Sequence, residues 1–361
     1  MESIVRNAVS LDQKKPVKEP RLIDGPKIVV VGVGGAGNNS VNRIARSGVQ
    51  GAELIALNTD KQHLTLVHDS VKKVLIGQSV TRGLGAGGYP EVGAKAAEVS
   101  RAALSQILDG TDLLFLTAGL GGGTGTGAGP IVADVAKEQG AIVIAMVTYP
   151  FRLERARLLK ADEGLNKLRR VADTVIIIDN NRLVELVPNL PIEQAFSVAD
   201  EVIARAVKGI TETITTPSLI NLDYMDVRAV MTQGGVSVIS VGESKGHQRV
   251  EEVVEDTLKN SLLDVDYAGA KGALIHITGG PDLTLGEANQ IGEKLTEAID
   301  PGATVIWGAR IIPEYEGKVE VIAIMTGVRS PNIKGPMSES LSATERSERE
   351  LDMNLGISYL K

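Results

Sequence analysis

The sequence predicts an α/β fold in which a long helix joins a larger and a smaller unit. Apolar segments of strand length alternate with helical segments between residues 27 and 190, which is typical of a parallel sheet with helices on both faces. A helical segment over residues 192–216 then spans roughly 37 Å before Pro217 stops it. Four more apolar strands and two helices follow, and they predict a smaller C-terminal α/β unit.

The larger unit contains six runs of apolar residues that predict strands. In chain order they are KIVVV, AELIALN, VKKVLIG, TDLLFLTAGL, AIVIAMVTYP and ADTVIIIDNN. Helices are predicted from the end of the first glycine-rich turn to about Arg46, over residues 91–108 and over residues 125–139. In the smaller unit the predicted strands are GVSVISVGES, GALIHITGG, TVIWGARI and KVEVIAIMTGV, with helices near 246–260 and 284–298.

These elements divide the chain into five predicted parts. They are an N-terminal extension (1–26), the larger α/β domain (27–190), the central helix (191–217), the C-terminal α/β domain (218–329) and a linker with a tail (330–361). The linker is polar and without periodicity, so we expect it to be disordered. It ends in the mildly apolar stretch MNLGISYLK.

Composition excludes several classes of function. The net charge is −7 and basic residues do not cluster, which argues against a nucleic-acid partner. The chain has no cysteine, which excludes disulfides, zinc–thiolate sites and thiol nucleophiles and fits a reducing cytoplasm. Its four histidines show no metal-ligand spacing, so no metal site made of protein side chains is predicted. No apolar run approaches the length that spans a bilayer, so we expect no direct membrane insertion.

Three glycine-rich segments, at residues 32–37, 83–88 and 119–129, each follow a predicted strand. Glycine lets backbone N–H groups and a helix N-terminus come close to an anion. Because the carboxyl ends of parallel strands meet at one edge of a sheet, we expect the three loops to lie together. Three such loops at one edge predict a polyphosphate ligand.

The identity of the nucleotide is open from these patterns alone. Gly32, Gly34 and Gly37 match G-x-G-x-x-G, and Asp60 follows at about the distance of a ribose contact. An NAD-dependent oxidoreductase with a Rossmann-type domain is therefore the alternative. That interpretation leaves the other two loops unexplained, and no hydride-transfer site stands out. The lysine-bearing G-x-x-x-x-G-K-[ST] pattern is absent, so backbone amides would hold the phosphates.

One motif carries a resemblance to a known family. GGGTGTG, at residues 121–127, is the signature of the tubulin/FtsZ superfamily. GVGGAGNN, NTD, TRGLGAGG, PFRLE, AFSVADEV and NLDYMDV occur in the order and approximate spacing of FtsZ, the prokaryotic cell-division GTPase family. Residues from about 27 to 328 thus resemble that family, and the polar N-terminal extension resembles its archaeal members. The resemblance implies GTP/GDP rather than NAD, with Mg²⁺, in a cytoplasmic filament at the mid-cell division site.

The resemblance also implies roles for individual residues. The first loop would line the nucleotide through Gly34, Gly35 and Asn38, and the second would face the γ-phosphate through Ala86, Gly87 and Gly88. The third would cradle the phosphates through Gly121, Gly122, Gly123, Thr124, Gly125, Thr126 and Gly127. Glu154 would bind the ribose, and Asn180, Phe196 and Asp200 would hold guanine. Considered without the resemblance, Phe196 reads as an ordinary core residue.

The sequence departs from the family pattern at three places. The family usually has P-F-x-x-E-G-x-x-R, whereas here Arg155 follows Glu154 and Arg157 comes one place early. A deletion of one residue would account for this. Arg157 is then the candidate for the family's arginine contact to the phosphates, and the shift in spacing leaves that contact open. Tyr89 and Asp179 stand where the family usually has Asn and Pro.

The stretch NLDYMDV supplies the predicted catalytic residues, Asn221, Asp223 and Asp226. From composition alone, the same residues fit a turn or a helix cap equally well. The resemblance implies that this segment enters the nucleotide pocket of the next subunit, where its carboxylates orient water while Mg²⁺ neutralises the phosphates. Repeated head-to-tail contacts of this kind build a filament. A filament protein that does not hydrolyse GTP would lack these carboxylates.

The resemblance also implies a role for the C-terminal tail, which would bind membrane-anchoring and regulatory division proteins.

Overall fold

The computed structural model describes residues 25–215, 223–232, 236–246, 248–259, 261–263, 265–297 and 299–330. The predicted extension up to residue 24 and the tail from residue 331 lie outside these ranges. The strands of the described residues are β1 (Ile28–Val33), β2 (Ala52–Asn58), β3 (Lys72–Leu75), β4 (Leu113–Gly119), β5 (Ile142–Tyr149), β6 (Thr174–Asp179), β7 (Val236–Ser244), β8 (Gly272–Gly279), β9 (Thr304–Ile311) and β10 (Val319–Thr326).

The helices in the same residues pack on both faces of the strands. They are α1 (Gly34–Arg46), α2 (Lys61–Thr65), α3 (Gln78–Thr81), α4 (Pro90–Glu98), α5 (Arg101–Ile107), α6 (Thr124–Glu138), α7 (Arg155–Val171), α8 (Asn180–Leu186), α9 (Ile192–Thr215), α10 (Tyr224–Met231), α11 (Arg249–Lys259) and α12 (Leu285–Thr296). Short 3₁₀ turns occur at Tyr267–Gly269 and Pro313–Tyr315.

All ten strands form one sheet, in the order β3-β2-β1-β4-β5-β6-β7-β10-β8-β9. Every neighbouring pair is parallel except those of β10, which is antiparallel to both β7 and β8. The two predicted units meet where β6 pairs with β7 at Val175 and Val236. The loops that follow β1, β2, β4 and β5 consequently leave the sheet at the same edge.

Alternation along the buried strands divides the core between the two faces of the sheet. Val29 and Val31 of β1 pack on the face that carries α6 and α7, whereas Ile28 and Val30 pack on the face that carries α1 and α9. A third cluster joins α11 and α12 to β8 and β10. This two-sided burial explains why the strands are almost continuously apolar.

Helix α9 runs for 24 residues, roughly 36 Å, along one face of the sheet. It lies beside α1, where the Lys208 ammonium donates to the Ser47 carbonyl at 3.0 Å. Its opposite side contacts the C-terminal strands, through Arg205 to Glu320 at 2.9 Å and Thr213 to His276 at 2.9 Å. The predicted central helix is confirmed, and it connects the two halves of the molecule along their length.

The strand predictions are confirmed, but the helix predicted over residues 91–108 is wrong as a single element. It breaks into α4 and α5 at Ser100, whose hydroxyl accepts a hydrogen bond from the Gly77 N–H at 2.9 Å. Helices α2, α3, α7, α8 and α10 were not predicted. In α7, Ala161, Leu165 and Leu168 are buried at helical spacing. The charged residues between them made this helical periodicity of apolar residues hard to recognise in the sequence.

Candidate functional site

A cavity of about 740 Å³ lies where β1, β2, β4 and β5 end. All three glycine-rich loops contribute to it, as their positions in the sequence predicted. The expected site residues in its lining are Gly35, Ala86, Gly87, Gly88, Gly122, Gly123, Thr124, Gly125, Glu154, Arg157, Asn180, Phe196 and Asp200. A cavity of this size, walled by backbone and a few polar side chains, has the character of a small-molecule site.

Most glycines of the 119–129 loop are required by close packing between loops. A Cβ atom on Gly127 would lie 1.9 Å from the Pro90 carbonyl oxygen, and one on Gly125 would lie 2.6 Å from that of Gly119. By contrast, nothing lies within 4 Å of the position of a Cβ on Gly122. Gly122 thus presents open backbone to the cavity, while its neighbours hold the loop against the rest of the site.

Five of the expected binding residues, Gly34, Asn38, Gly121, Thr126 and Gly127, do not line the cavity. The buried Asn38 amide donates to the carbonyl oxygens of Gly32 at 2.9 Å and Gly34 at 3.1 Å, so it shapes the first loop from behind. Thr126 packs its methyl group toward Gly164, and its buried hydroxyl has no partner among the described residues. The Thr124 hydroxyl is hydrogen-bonded to that of Thr59 at 2.7 Å.

One end of the cavity combines an aromatic ring with a carboxylate. The Phe196 ring is 39% exposed and lies 5.8 Å from the Phe151 ring, centroid to centroid. Asp200 accepts a hydrogen bond from the Ser40 hydroxyl at 2.5 Å. Burial raises the pKa of Asp200, although Ser40 and Arg43 act in the opposite direction. A planar base that offers N–H donors would satisfy both the exposed ring face and the carboxylate.

Asn180 lies beside this end, at the first position of α8. Asp179 caps the helix by accepting from the Asn181 N–H at 2.8 Å, which gives a reason for aspartate where the family usually has proline. The buried side-chain oxygen of Asn180 has no hydrogen-bond partner in the described part of the chain. An unpaired buried acceptor in a cavity wall is a position for a ligand donor.

The cavity wall also carries an ion pair between Glu154 and Arg157, at 2.6 Å. Helix α7 begins at Arg155, so Arg157 lies in its first turn and reaches the cavity. This position fits the deletion inferred from the sequence, because the arginine remains beside the 119–129 loop although one residue is missing before it.

Sequence reasoning missed several cavity residues, among them Asn39, His63 and Thr148. Asp60, which it considered only as a ribose contact for NAD, caps α2 by accepting from Gln62 N–H at 2.9 Å and His63 N–H at 3.2 Å. The Nδ1 atom of His63 is buried and unpartnered among the described residues. His63 lies beside Gly35 of the first glycine-rich loop, a tertiary contact that no local sequence pattern indicates.

The predicted catalytic carboxylates lie elsewhere. Asp223 and Asp226 form a capping box at the start of α10, with Asp223 accepting from Asp226 N–H at 2.7 Å and Asp226 accepting from Asp223 N–H at 3.1 Å. The Tyr224 hydroxyl donates to the carbonyl of Asp112, which directly precedes β4. This contact places α10 at the amino end of β4, roughly 23 Å from the cavity at its carboxyl end. Asn221 lies outside the described residues.

The described helices include none with the length and apolar character needed to cross a bilayer. 

Two family models match the chain in succession. The model of the Tubulin/FtsZ family GTPase domain matches residues 27–188, and that of the FtsZ family C-terminal domain matches residues 235–329. The junction between the two matches contains α9 and α10.

Curated relatives and solved structures agree with these matches. Cell division protein FtsZ 2 of Methanocaldococcus jannaschii is 62% identical, with 90% of this chain and 88% of the relative covered, and that of Haloferax volcanii is 54% identical, with 96% and 88% covered. The empty FtsZ dimer of M. jannaschii superposes with a TM-score of 0.79 at 42% identity, covering 94% of this chain and 99% of the other. A GTPγS-bound CetZ2 protofilament of H. volcanii shares the fold, with a TM-score of 0.71, 24% identity, and 92% and 100% covered. 

None of these matches supports the dehydrogenase alternative. With both of its folded parts matched and its site loops gathered at one edge of the sheet, the chain belongs to the FtsZ family of tubulin-like cell-division GTPases.

Proposed function

We propose that this protein binds GTP, hydrolyses it to GDP and phosphate, and assembles head-to-tail into filaments in which each active site is shared by two copies. The observation that carries the proposal is the separation of the two sets of functional residues. The cavity occupies one edge of the sheet, and Asp223 and Asp226 occupy the other. Stacking one copy on the next brings the two sets together.

The acidic residues of the cavity support a catalyst from outside the chain. Asp60 accepts two backbone N–H groups, Glu154 pairs with Arg157, and Asp200 accepts from Ser40. Each of these carboxylates thus has a local partner. Asp223 and Asp226 also accept hydrogen bonds, from each other's backbone N–H groups, so what distinguishes them is their position. They lie at the opposite edge, where an incoming copy can reach them, and they fit the role of orienting the attacking water.

Exposed apolar side chains support the same mode of assembly. Leu84, in the cavity wall, is 81% exposed, and Leu153, next to Glu154, is 82% exposed. Met225, next to Asp226, is 59% exposed at the other edge. Contacts between unlike edges leave one free edge of each kind at the ends of the assembly, so growth continues as a filament.

Guanine is the proposed base because of Asp200 and Phe196. Guanine presents two N–H donors on one edge, which a carboxylate can accept, while adenine does not. Asp200→Asn keeps an acceptor for the Ser40 hydroxyl but replaces one acceptor with an amide donor. We expect this variant to lose affinity for GTP and to gain affinity for xanthosine triphosphate, whose carbonyl suits that donor; unchanged preference for GTP would contradict the assignment.

Mg²⁺ is the proposed metal cofactor. The described residues contain no cluster of three His, Cys, Asp or Glu side chains that could hold a metal ion on their own. The nucleotide phosphates would therefore supply much of the coordination, as Mg²⁺ commonly requires. When bound, the ion would neutralise phosphate charge; backbone amides of the glycine loops and Arg157 would add to that effect.

We further propose that the division into domains at residues 27–190, 191–217 and 218–329 holds, and that the tail binds membrane-anchoring and regulatory division proteins. Such binding would bring a cytoplasmic filament to the division site at mid-cell. Deleting residues from Asp352 onward should leave GTP hydrolysis and filaments intact. Recruitment to membranes by a tail-binding partner should be lost, and unchanged recruitment would contradict this role.

One experiment tests the shared active site directly. GTP hydrolysis per chain is measured over a range of protein concentrations, with polymer pelleting of the same samples. We expect specific activity to rise above a threshold concentration and to follow the pelleted fraction. Specific activity that is independent of concentration would show that one chain contains the complete catalytic site.

A further inference from the structure

The loop formed by residues 83–88 needs an anchor in order to form a wall of the cavity. Gly87 and Gly88 adopt φ angles of +60° and +78°, and both line the cavity. A chain with several glycines has many alternative conformations, and ordering it on a ligand costs conformational entropy. Any contact that holds the loop beforehand lowers that cost on binding.

The first half of the loop is held by main-chain hydrogen bonds. Gly85 N–H donates to the Thr59 carbonyl at 3.0 Å, and Lys61 N–H donates to the Gly83 carbonyl at 2.9 Å. Both contacts attach the loop to the segment that follows β2. The second half closes its own turn, because Tyr89 N–H donates to the Ala86 carbonyl at 3.0 Å. The position of this turn relative to the cavity then depends on contacts from other parts of the molecule.

A side chain of α7 reaches this second half. The Lys160 ammonium donates to the Gly88 carbonyl at 2.7 Å and lies 5.3 Å from the centroid of the Tyr89 ring. Lys160 is one helical turn beyond Arg157, which itself lines the cavity. Nothing lies within 4 Å of the position of a Cβ on Gly88, so little else packs against the loop there. The Lys160 ammonium therefore joins α7 to the loop at this sparsely packed residue.

We propose that Lys160 is a positioning residue that holds residues 86–89 in the conformation that receives the terminal phosphate of the nucleotide. The inference rests on the proposed function, because it assumes a triphosphate in the cavity. A hydrogen bond from a charged donor is stronger than a neutral one, and the aromatic face adds a cation–π contact. Tyr89 supplies that face at a position where the family usually has asparagine, so the two residues act as a pair.

The test compares the affinities of purified full-length variants for GTP and GDP. Lys160→Met keeps the length of the side chain and removes the ammonium, so we expect GTP binding to weaken about tenfold. GDP binding should change by about twofold or less, because the loop is assigned to the terminal phosphate. Lys160→Arg should restore most of the affinity. Lys167→Met, an exposed site on the same helix, is the matched control and should leave both affinities unchanged.

Kinetics separate positioning from catalysis. In the Lys160→Met variant, we expect KM for GTP to rise while kcat at saturating GTP stays within about twofold of the wild type, since the side chain acts on binding through Gly88. Equal weakening of GTP and GDP would indicate a general structural role and would overturn the inference. A wild-type protein that does not bind GTP would overturn the proposed function itself. Normal GTP binding by wild type, with Lys160→Met indistinguishable from Lys167→Met, would overturn the inference alone.

Tyr89→Leu keeps the test decisive if Lys160→Met fails to fold. This variant removes the ring and leaves the bond to the Gly88 carbonyl, so we expect a loss of about threefold in GTP affinity. The double variant should lose less than the product of the two single losses, because the residues share one contact. Independent effects of the two substitutions would contradict the pairing.

Discussion

The proposed function assigns different tasks to the two edges of the sheet. At the edge with the cavity, backbone loops, an aromatic ring and several already-paired carboxylates enclose a binding site. At the other edge, Asp223 caps a short helix whose first turn contains Asp226. The proposed function therefore predicts that binding and catalysis can be separated by mutation.

Helix α9 connects these two edges. Phe196 and Asp200, near its start, line the cavity, and Thr215, at its end, lies against Gly51 just before β2. Along the way, Arg205 pairs with Glu201 of the same helix and with Glu320 of β10. One continuous helix thus has its start in the cavity wall and its end near the opposite edge of the sheet.

The largest expected effect tests whether the two edges are functionally distinct. Asp226→Asn retains an acceptor for the cap on α10 but loses the charge that would orient water. We expect kcat to fall about 100-fold or more, while the affinity for GTP stays within about twofold of wild type. Filaments should persist longer, because the GTP between copies is no longer consumed. The measurements are steady-state hydrolysis, nucleotide titration and polymer lifetime.

Two controls sharpen this prediction. Asp300→Asn removes an exposed carboxylate that precedes β9 at the same edge, and it should leave kcat unchanged. Adding Asp226→Asn protein to wild type should reduce activity out of proportion to its fraction, because mixed filaments contain inactive sites. Weakened GTP binding by Asp226→Asn would show that Asp226 also contributes to nucleotide binding, and it would contradict the separation of binding and catalysis between the two edges.

A smaller effect is expected at the cavity edge. Phe196→Leu removes the ring that would stack on the base, so GTP and GDP should both bind about tenfold more weakly. At saturating GTP, kcat should remain near the wild-type value because the other edge is intact. Phe151→Leu is the matched control: it removes the neighbouring ring, which lies 5.8 Å from Phe196, but leaves Phe196 in place. Equal losses in the two variants would mean that Phe196 only packs.

Much of the fold and part of the candidate site could be predicted from local sequence patterns. The strands and α9 follow from local patterns of apolar residues, and the three loops follow from glycine clusters after strands. That these loops share one cavity follows in turn from the geometry of a parallel sheet. By contrast, Thr126 and Asn38 match the motif but lie behind the cavity, because a motif does not distinguish residues that contact the ligand from residues that shape the loop.

Residues that act through tertiary contacts were beyond the reach of sequence patterns. His63 lines the cavity from α2, whose first turn Asp60 caps, and Lys160 reaches the Gly88 carbonyl across 72 residues of sequence. Helix α7 was not predicted because its row of apolar residues is narrow and charged residues lie between them. In each case the missing information is the packing of one element against another.

The smallest expected effect on function concerns the contact between α9 and the C-terminal strands. His276 of β8 is 3% exposed and lies between the hydroxyls of Thr213 and Thr278, at 2.9 and 3.1 Å. Burial, with a contribution from Arg310, lowers the pKa of His276 to about 4, so its imidazole is neutral in the folded protein at neutral pH. At neutral pH we therefore expect His276→Gln to leave GTP affinity and kcat near wild type, since neither edge is touched.

Stability should nevertheless depend on this histidine in acid. Below about pH 6.5 the unfolded chain binds a proton that the folded protein does not accept until about pH 4, so stability is lost as the pH falls through this window. The full loss from this one group is about 3 kcal/mol. Denaturant unfolding of wild type and His276→Gln between pH 7 and pH 4 gives the slope of the free energy of unfolding against pH for each protein. The difference between the two slopes reports His276, because the carboxylates titrate in both proteins and their contribution cancels. If the slope is the same in wild type and His276→Gln, the imidazole is already protonated or solvated in the folded state, and α9 is held to the C-terminal strands chiefly by its ion pairs.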